Sequence, residues 1–259
     1  MKKILILAFS LFTLGTYAQR EVPQSRMEQI YEEAKTPYKY GLAVAPADNK
    51  HKIDCPTVFR EGDKWYMTYV VYNGKSGLDG RGYETWIAES DNLLEWRTLG
   101  RVLSYRDGFW DCNQRGGFPA LPDMEWGGSY ALQTYKGKHW MTYLGGEGTG
   151  YESVNKPLYI GLAWTDRPLG SAHEWQAQDK LTQYKSVVYW DKEKTLGAPF
   201  VMFYNAAGRH PETDLKAERV GIALSKDMKK WKRYPGNPVF AHEADGTITG
   251  DAHIQKMGD

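Results

Sequence analysis

Two aspartates recur at one place in a repeated pattern. Asp54 opens the stretch Asp54-Cys55-Pro56-Thr57-Val58-Phe59-Arg60-Glu61-Gly62-Asp63-Lys64-Trp65-Tyr66-Met67-Thr68-Tyr69. This apolar run breaks at a Gly-Asp turn and returns as alternating aromatic and polar residues, which is a β-hairpin signal. Asp251 opens the stretch that runs to Asp259 in the same way. Each aspartate directly precedes the expected innermost strand of its repeat, so the repeats bring both carboxylates toward one mouth of a shared axial funnel. Two carboxylates facing across a gap can cleave a glycosidic bond: one protonates the leaving oxygen, and the other activates water or attacks the anomeric carbon. Either residue could instead cap its own turn through a bond to a backbone N–H. The matched pair favours chemistry.

A second set of residues lies between the repeats. The long connection from Tyr105 to Gly128 holds Trp110-Asp111-Cys112-Asn113-Gln114-Arg115-Gly116-Gly117 and Asp123-Met124-Glu125-Trp126-Gly127-Gly128, the densest gathering of polar, aromatic and glycine residues in the sequence. Loops on a rigid scaffold are where binding groups concentrate. The expectation is that Trp110, Trp126 and Arg115 line the funnel mouth, the rings stacking on a sugar and the guanidinium bonding its hydroxyls.

The elements that must position these groups are legible as repeats. Tyr130 to Tyr143 repeats the first hairpin, with Lys136-Gly137-Lys138 as its turn, and a third version ends in Val201-Met202-Phe203-Tyr204. After each hairpin comes a second element. Ile87-Ala88-Glu89-Ser90 through Trp96 matches Ile222-Ala223-Leu224-Ser225 through Trp231, with a looser copy from Gly161 to Trp175. Each unit reads as four short strands over about 60–75 residues, and units unable to bury their own faces mark a β-propeller. The fold class is therefore all-β, with a β-sandwich as the weaker alternative. The glycine-rich loops lack the strand–helix setting of a phosphate cradle.

Residues 1–18 read as a secretory signal peptide: Lys2-Lys3, an apolar run from Ile4 to Leu14, and cleavage after Ala18. The run is too short to span a bilayer, so an exported, periplasmic or extracellular protein is expected. Residues 19–50 read as an N-terminal helix, with Met27, Ile30, Tyr31 and Ala34 at helical spacing and Pro37 ending it, followed by a lead-in strand from Tyr38 to Ala47. Residues 51–259 read as one propeller domain. Removing Lys2 and Lys3 leaves 31 basic against 32 acidic residues, a near-neutral balance that gives no reason to expect nucleic acid or a charged membrane surface. Aromatic residues make up 14% of the sequence, with ten Trp and eighteen Tyr, enough for both core packing and sugar stacking. Cys55 and Cys112 could pair in an exported protein or remain separate thiols. No Cys/His cluster has zinc spacing, and no cofactor is implied.

The Asp-Cys-Pro-Thr-Val start at 54–58, the Gly-Asp-Lys-Trp-Tyr-Met-Thr-Tyr return at 62–69 and the Ser-x-Asp-x-x-x-Trp element at 225–231 resemble the five-bladed propeller glycosidases. Family 43 of the glycoside hydrolases is the nearest in pattern, with families 130 and 117 as relatives. The resemblance implies Asp54 as general base, although Cys55 stands between it and Pro56. It implies an acid near Gly250-Asp251-Ala252-His253, which keeps the pattern's His at His253 and offers Asp251 one residue out of place. Lys185-Ser186 stands where the family's third carboxylate would open the third blade, and Trp126-Gly127-Gly128-Ser129 replaces its second-blade Trp-Ala-Pro-Asp. The sequence thus reads as a separate branch, with Glu125, Asp111 and Glu218 as candidates for the missing carboxylate. The resemblance implies an inverting hydrolase acting on a plant or algal polysaccharide fragment. A phosphorylase is the alternative, with Arg115, Lys185 and Arg209 available for phosphate, as is a sugar-binding propeller without catalysis. By repeat length the fourth unit is incomplete at Asp259, so a longer protein, with about 100 further residues and monomeric when complete, is expected.

Overall fold

The computed structural model describes residues 22–35, 41–46, 48, 50–72, 80–150, 156–178, 186–209, 213–241, 249 and 252–257. The signal peptide, Lys185 and Asp251 lie outside them. The protein separates into two compact units, Met1–Gly41 and Leu42–Asp259. In the first, α1 (Gln24–Ala34) forms where the helical spacing predicts, with its apolar stripe exposed at Met27 and Tyr31. The lead-in strand does not form among the described residues 41–46 and 48, which are irregular.

The second unit is built of three antiparallel sheets, each a blade whose strands follow sequence order. The first comprises β1 (Lys52–Glu61), β2 (Lys64–Tyr72), β3 (Glu84–Ser90) and β4 (Arg97–Leu103). The second comprises β5 (Gln114–Ala120), β6 (His139–Gly146), β7 (Tyr159–Thr165) and β8 (Gln176–Ala177). The third comprises β9 (Ser186–Trp190), β10 (Phe200–Arg209), β11 (Lys216–Ser225) and β12 (Trp231–Arg233), with β13 (Phe240–Ala241) also pairing with β11. This is the all-β, propeller-like architecture that the repeats imply.

The repeat has a physical register. Met67 faces Ala88, Met141 faces Ala163, and Met202 faces Ala223, all six buried. A flexible thioether opposite a methyl lets each blade fill the gap beside its neighbour. Side-chain alternation divides the second blade between two cores. Met141, Tyr143 and Ala163 join Phe59, Ile87 and Leu103 of the first blade. Trp140, Ile160 and Leu162 join Val188, Phe200 and Met202 of the third. Each fully buried side chain of this kind contributes about 1.5–3 kcal/mol.

One element differs from expectation. Gln114–Ala120 is not part of a loop but the innermost strand β5, buried nearly throughout. A strand covered on both faces carries no alternation, and Gly116-Gly117 allows close approach: a Cβ on Gly117 would overlap the Met141 sulfur. The Lys136-Gly137 turn forms as expected, both residues at positive φ. Its upstream arm is held by isolated bridges instead of a strand. Likewise β11 begins inside the charged run from Arg209 to Glu218.

Candidate active site

Asp54 lies near the start of β1, half-buried and opposite Val70. The ladder shifts register between Asp54 and Thr57, and within this bulge Cys55 adopts φ 51°. A non-glycine residue in the left-handed region stores strain and re-aims its neighbours. Pro56, which has no N–H to give, cannot continue the ladder there. The Asp54 Oδ1 accepts the Cys55 N–H at 2.7 Å, which fixes the carboxylate's direction. The turn-capping role and the strained setting thus coincide on the residue singled out for chemistry. Cys55 and Cys112 are not joined in a disulfide.

The bulge forms one wall of a cavity of about 190 Å³. Cys55 to Val58 supply that wall, Phe118 and Pro119 of β5 a second, Phe203 and Asn205 of β10 a third, and residues 252–255 a fourth. Pro122, Asp123, Met124 and Tyr130 complete it. An enclosure of mostly apolar side chains with a few polar groups is the usual form of a small-ligand site. His253 lines it while remaining largely exposed.

Two segments distant in sequence are stitched together at this cavity. The Trp126 N–H donates to the Lys256 carbonyl and the Lys256 N–H to the Met124 carbonyl, both at 2.8 Å. Gln255 Nε2 donates to the Met124 carbonyl at 2.7 Å, and Lys256 pairs with Glu125 at 3.0 Å. Trp126 is 44% exposed on this joint, open to a ligand as the sequence suggests. Glu125 is exposed and engaged with Lys256. Asp123, not singled out in the sequence, lines the cavity but serves its own loop, accepting from the Ser129 N–H, the Ser129 hydroxyl and the Glu125 N–H. Burial alone would raise its pKa, but these bonds outweigh burial and lower it.

The remaining loop candidates lie elsewhere. Arg115 and Asp111 are 1% and 0% exposed. The Asp111 carboxylate takes Arg106 Nε at 2.7 Å, Arg106 Nη2 at 2.8 Å and the Tyr143 hydroxyl at 2.8 Å, with Arg115 Nε at 3.2 Å. Arg115 in turn donates to the Ser104 carbonyl at 2.6 Å and to Glu174, and lies over the Tyr143 ring. Burial and the adjacent Asp111 charge push the Tyr143 phenol well above its ordinary pKa. Trp110 stacks on Tyr143, ring centroids 5.8 Å apart. The expectation that Trp110, Asp111 and Arg115 line the mouth is therefore corrected: they rivet the first blade to the second. Once Gln114–Ala120 becomes a buried strand, its arginine must be buried and paired as well. Lys185 and Asp251 lie outside the described residues. Among the described residues, no helix is long and apolar enough to cross a membrane.

No protein-family model matches the sequence, and no curated protein matches it. Two solved structures are 80% identical to it, each with a TM-score of 0.88, covering 92% of this protein and 72% of their own length. One is described as a glycoside hydrolase, the other as a complex of BT0996 and RGII. Zg3597, a family 117 glycoside hydrolase from the marine bacterium Zobellia galactanivorans, is 14% identical, with a TM-score of 0.56 over 75% of this protein and 58% of its own length; that likeness is one of fold. With 80% identity across this span, and a propeller-like scaffold enclosing a cavity beside a strained carboxylate, this protein belongs to the glycoside hydrolases.

Proposed function

We propose that the enzyme is exported through a signal peptide cut after Ala18 and hydrolyses a glycosidic bond of RGII, a polysaccharide of the plant class read from the sequence. The observation that carries the substrate is the 80% identity to the protein of the BT0996 complex with RGII. Asp54 is the proposed general base, its carboxylate aimed by the Cys55 N–H at the edge of the cavity. Asp251 is the proposed acid, on the strength of its matching place in the repeat. With a water between them the pair inverts the anomeric centre, which calls for a separation of roughly 6.5–9.5 Å. Trp126 and His253 offer a ring face and a polar edge to the sugar. The proposal includes a monomeric enzyme.

Phosphorolysis is the weaker reading. It needs a cation for phosphate, and the Arg115 guanidinium is committed to Asp111, Glu174 and the Ser104 carbonyl.

The test is incubation of the mature protein with RGII oligosaccharides and with aryl glycosides of arabinofuranose, xylose, galactose and mannose, with and without phosphate. Release of a reducing sugar in water alone, with the anomer inverted by NMR, is the expected result. Turnover only with phosphate, or none on any of these substrates, overturns the proposal.

A further inference from the structure

On its third wall the cavity meets a buried polar pair that the strand architecture does not require. Phe203 and Asn205, two residues apart on β10, share a face and both line the cavity. Asn205 is 3% exposed. Its surroundings on that face are apolar, with Val220 directly opposite and Ile222 opposite Phe203. A buried amide in such company is unfavourable unless it is bonded. Here Asn205 Nδ2 donates to Glu218 Oε1 at 3.2 Å. Glu218, two residues before Val220 on β11, shares the same face, and its backbone carbonyl accepts the Thr249 hydroxyl. A carboxylate can only accept, so it fixes the amide's NH2 toward β11 and thereby sets which way the Asn205 side chain is flipped.

The other polar groups at this cavity have architectural reasons: Asp123 holds the loop to Ser129, and the Asp54–Cys55 bulge re-aims β1. An aliphatic pair in place of Asn205 and Glu218 would suit the sheet face at least as well. We infer that Asn205 is a substrate-contacting residue that takes a hydroxyl of the sugar held in the cavity, and that Glu218 is the positioning residue that orients it. This inference rests on the reading of the cavity as the sugar site and names a specificity determinant within it. It also separates the three candidate carboxylates: Asp111 is locked between two arginines, Glu125 faces Lys256 at the surface, and Glu218 alone acts on the cavity wall.

The test is a double-mutant cycle on the mature protein with RGII oligosaccharides, reading both binding by calorimetry and turnover. Asn205→Ala should lower kcat/KM about tenfold or more, the scale of one lost hydrogen bond to substrate. Glu218→Gln should lower it less. The double variant should be no worse than Asn205→Ala, because the two residues act as one unit. Asn205→Ser serves the same purpose if Asn205→Ala folds poorly. Unchanged kcat/KM in Asn205→Ala, or additive losses in the cycle, would overturn this inference while wild-type hydrolysis leaves the proposed function standing. Absence of both binding and turnover in the wild type sinks the two together.

Discussion

Tyr143 and Gly161 stand opposite one another on β6 and β7, and the phenol ring occupies the space where a Cβ on Gly161 would lie. Tyr204 covers Gly221 in the same way in the third blade, 2.8 Å from the position of such a Cβ. In the first blade Tyr69 faces Trp86, so its ring cannot lie down, and its hydroxyl bonds the Thr98 hydroxyl at 3.0 Å instead. Gly161→Ala should therefore push Tyr143 off both its ring position and its bond to Asp111, costing about 1–3 kcal/mol as an overpacking change. Denaturant unfolding measures it; a variant as stable as the parent would show that the ring moves freely.

Asp111 supports two guanidinium groups at the seam between the first and second blades. Removing its charge leaves Arg115 buried with only Glu174 opposite it. Asp111→Asn is expected to lose about 3 kcal/mol of stability, the scale for breaking a buried pair, with the folded enzyme's kcat and KM unchanged. A fall in kcat at full stability would return Asp111 to the active site.

Asp54→Asn should lower turnover by at least about a hundredfold, the scale for losing a general base. The melting temperature should hardly change, because the amide oxygen can still accept the Cys55 N–H. Near-normal rates on RGII oligosaccharides would remove Asp54 from the mechanism.

The turn before Trp231 makes a pH prediction with its own internal control. The Asp227 carboxylate accepts the Lys230 and Lys229 N–H groups at 2.8 and 2.9 Å, and the Lys230 bond most strongly holds its pKa below the ordinary value. A depressed folded-state pKa contributes stability that is complete above the unfolded value, near 3.8, and is lost as the pH falls through the folded value. In the first blade Asn92 makes the same two bonds, to Leu94 and Glu95, without a charge. Asp227→Asn should fold as well as the parent near neutrality and show a shallower decline in melting temperature below about pH 4. Parallel curves for the two proteins would contradict this.

What the sequence made legible was what repeats. The Ser90 and Ser225 elements are the same object in space: Leu93 and Met228 share φ 66°, and Trp96 and Trp231 each donate their indole N–H to the carbonyl three residues back at 2.9 Å. Such local hydrogen-bonding demands leave a fixed spacing in the sequence. β5 leaves none, because burial on both faces and two glycines erase the period-2 pattern, so its Arg115 and the nearby Asp111 looked like loop groups. Asp54 was legible because its place is set by the repeat. Asn205 was not, because its polarity has meaning only against Val220 and Ile222, which sit 15 and 17 positions later.

The double-sided packing of the second blade has a kinetic consequence. Every residue of β6, and all but one of β5, is buried between the two cores. Solvent can reach their amides only when the contacts to both neighbouring blades are lost at once. These strands should therefore exchange hydrogen for deuterium last and at a common rate, the rate of global opening. The short outer strands β8, β12 and β13, held by a few pairs each, open locally and exchange first. The order in which the enzyme comes apart thus runs inward to its middle blade, away from the edge that carries Asp54.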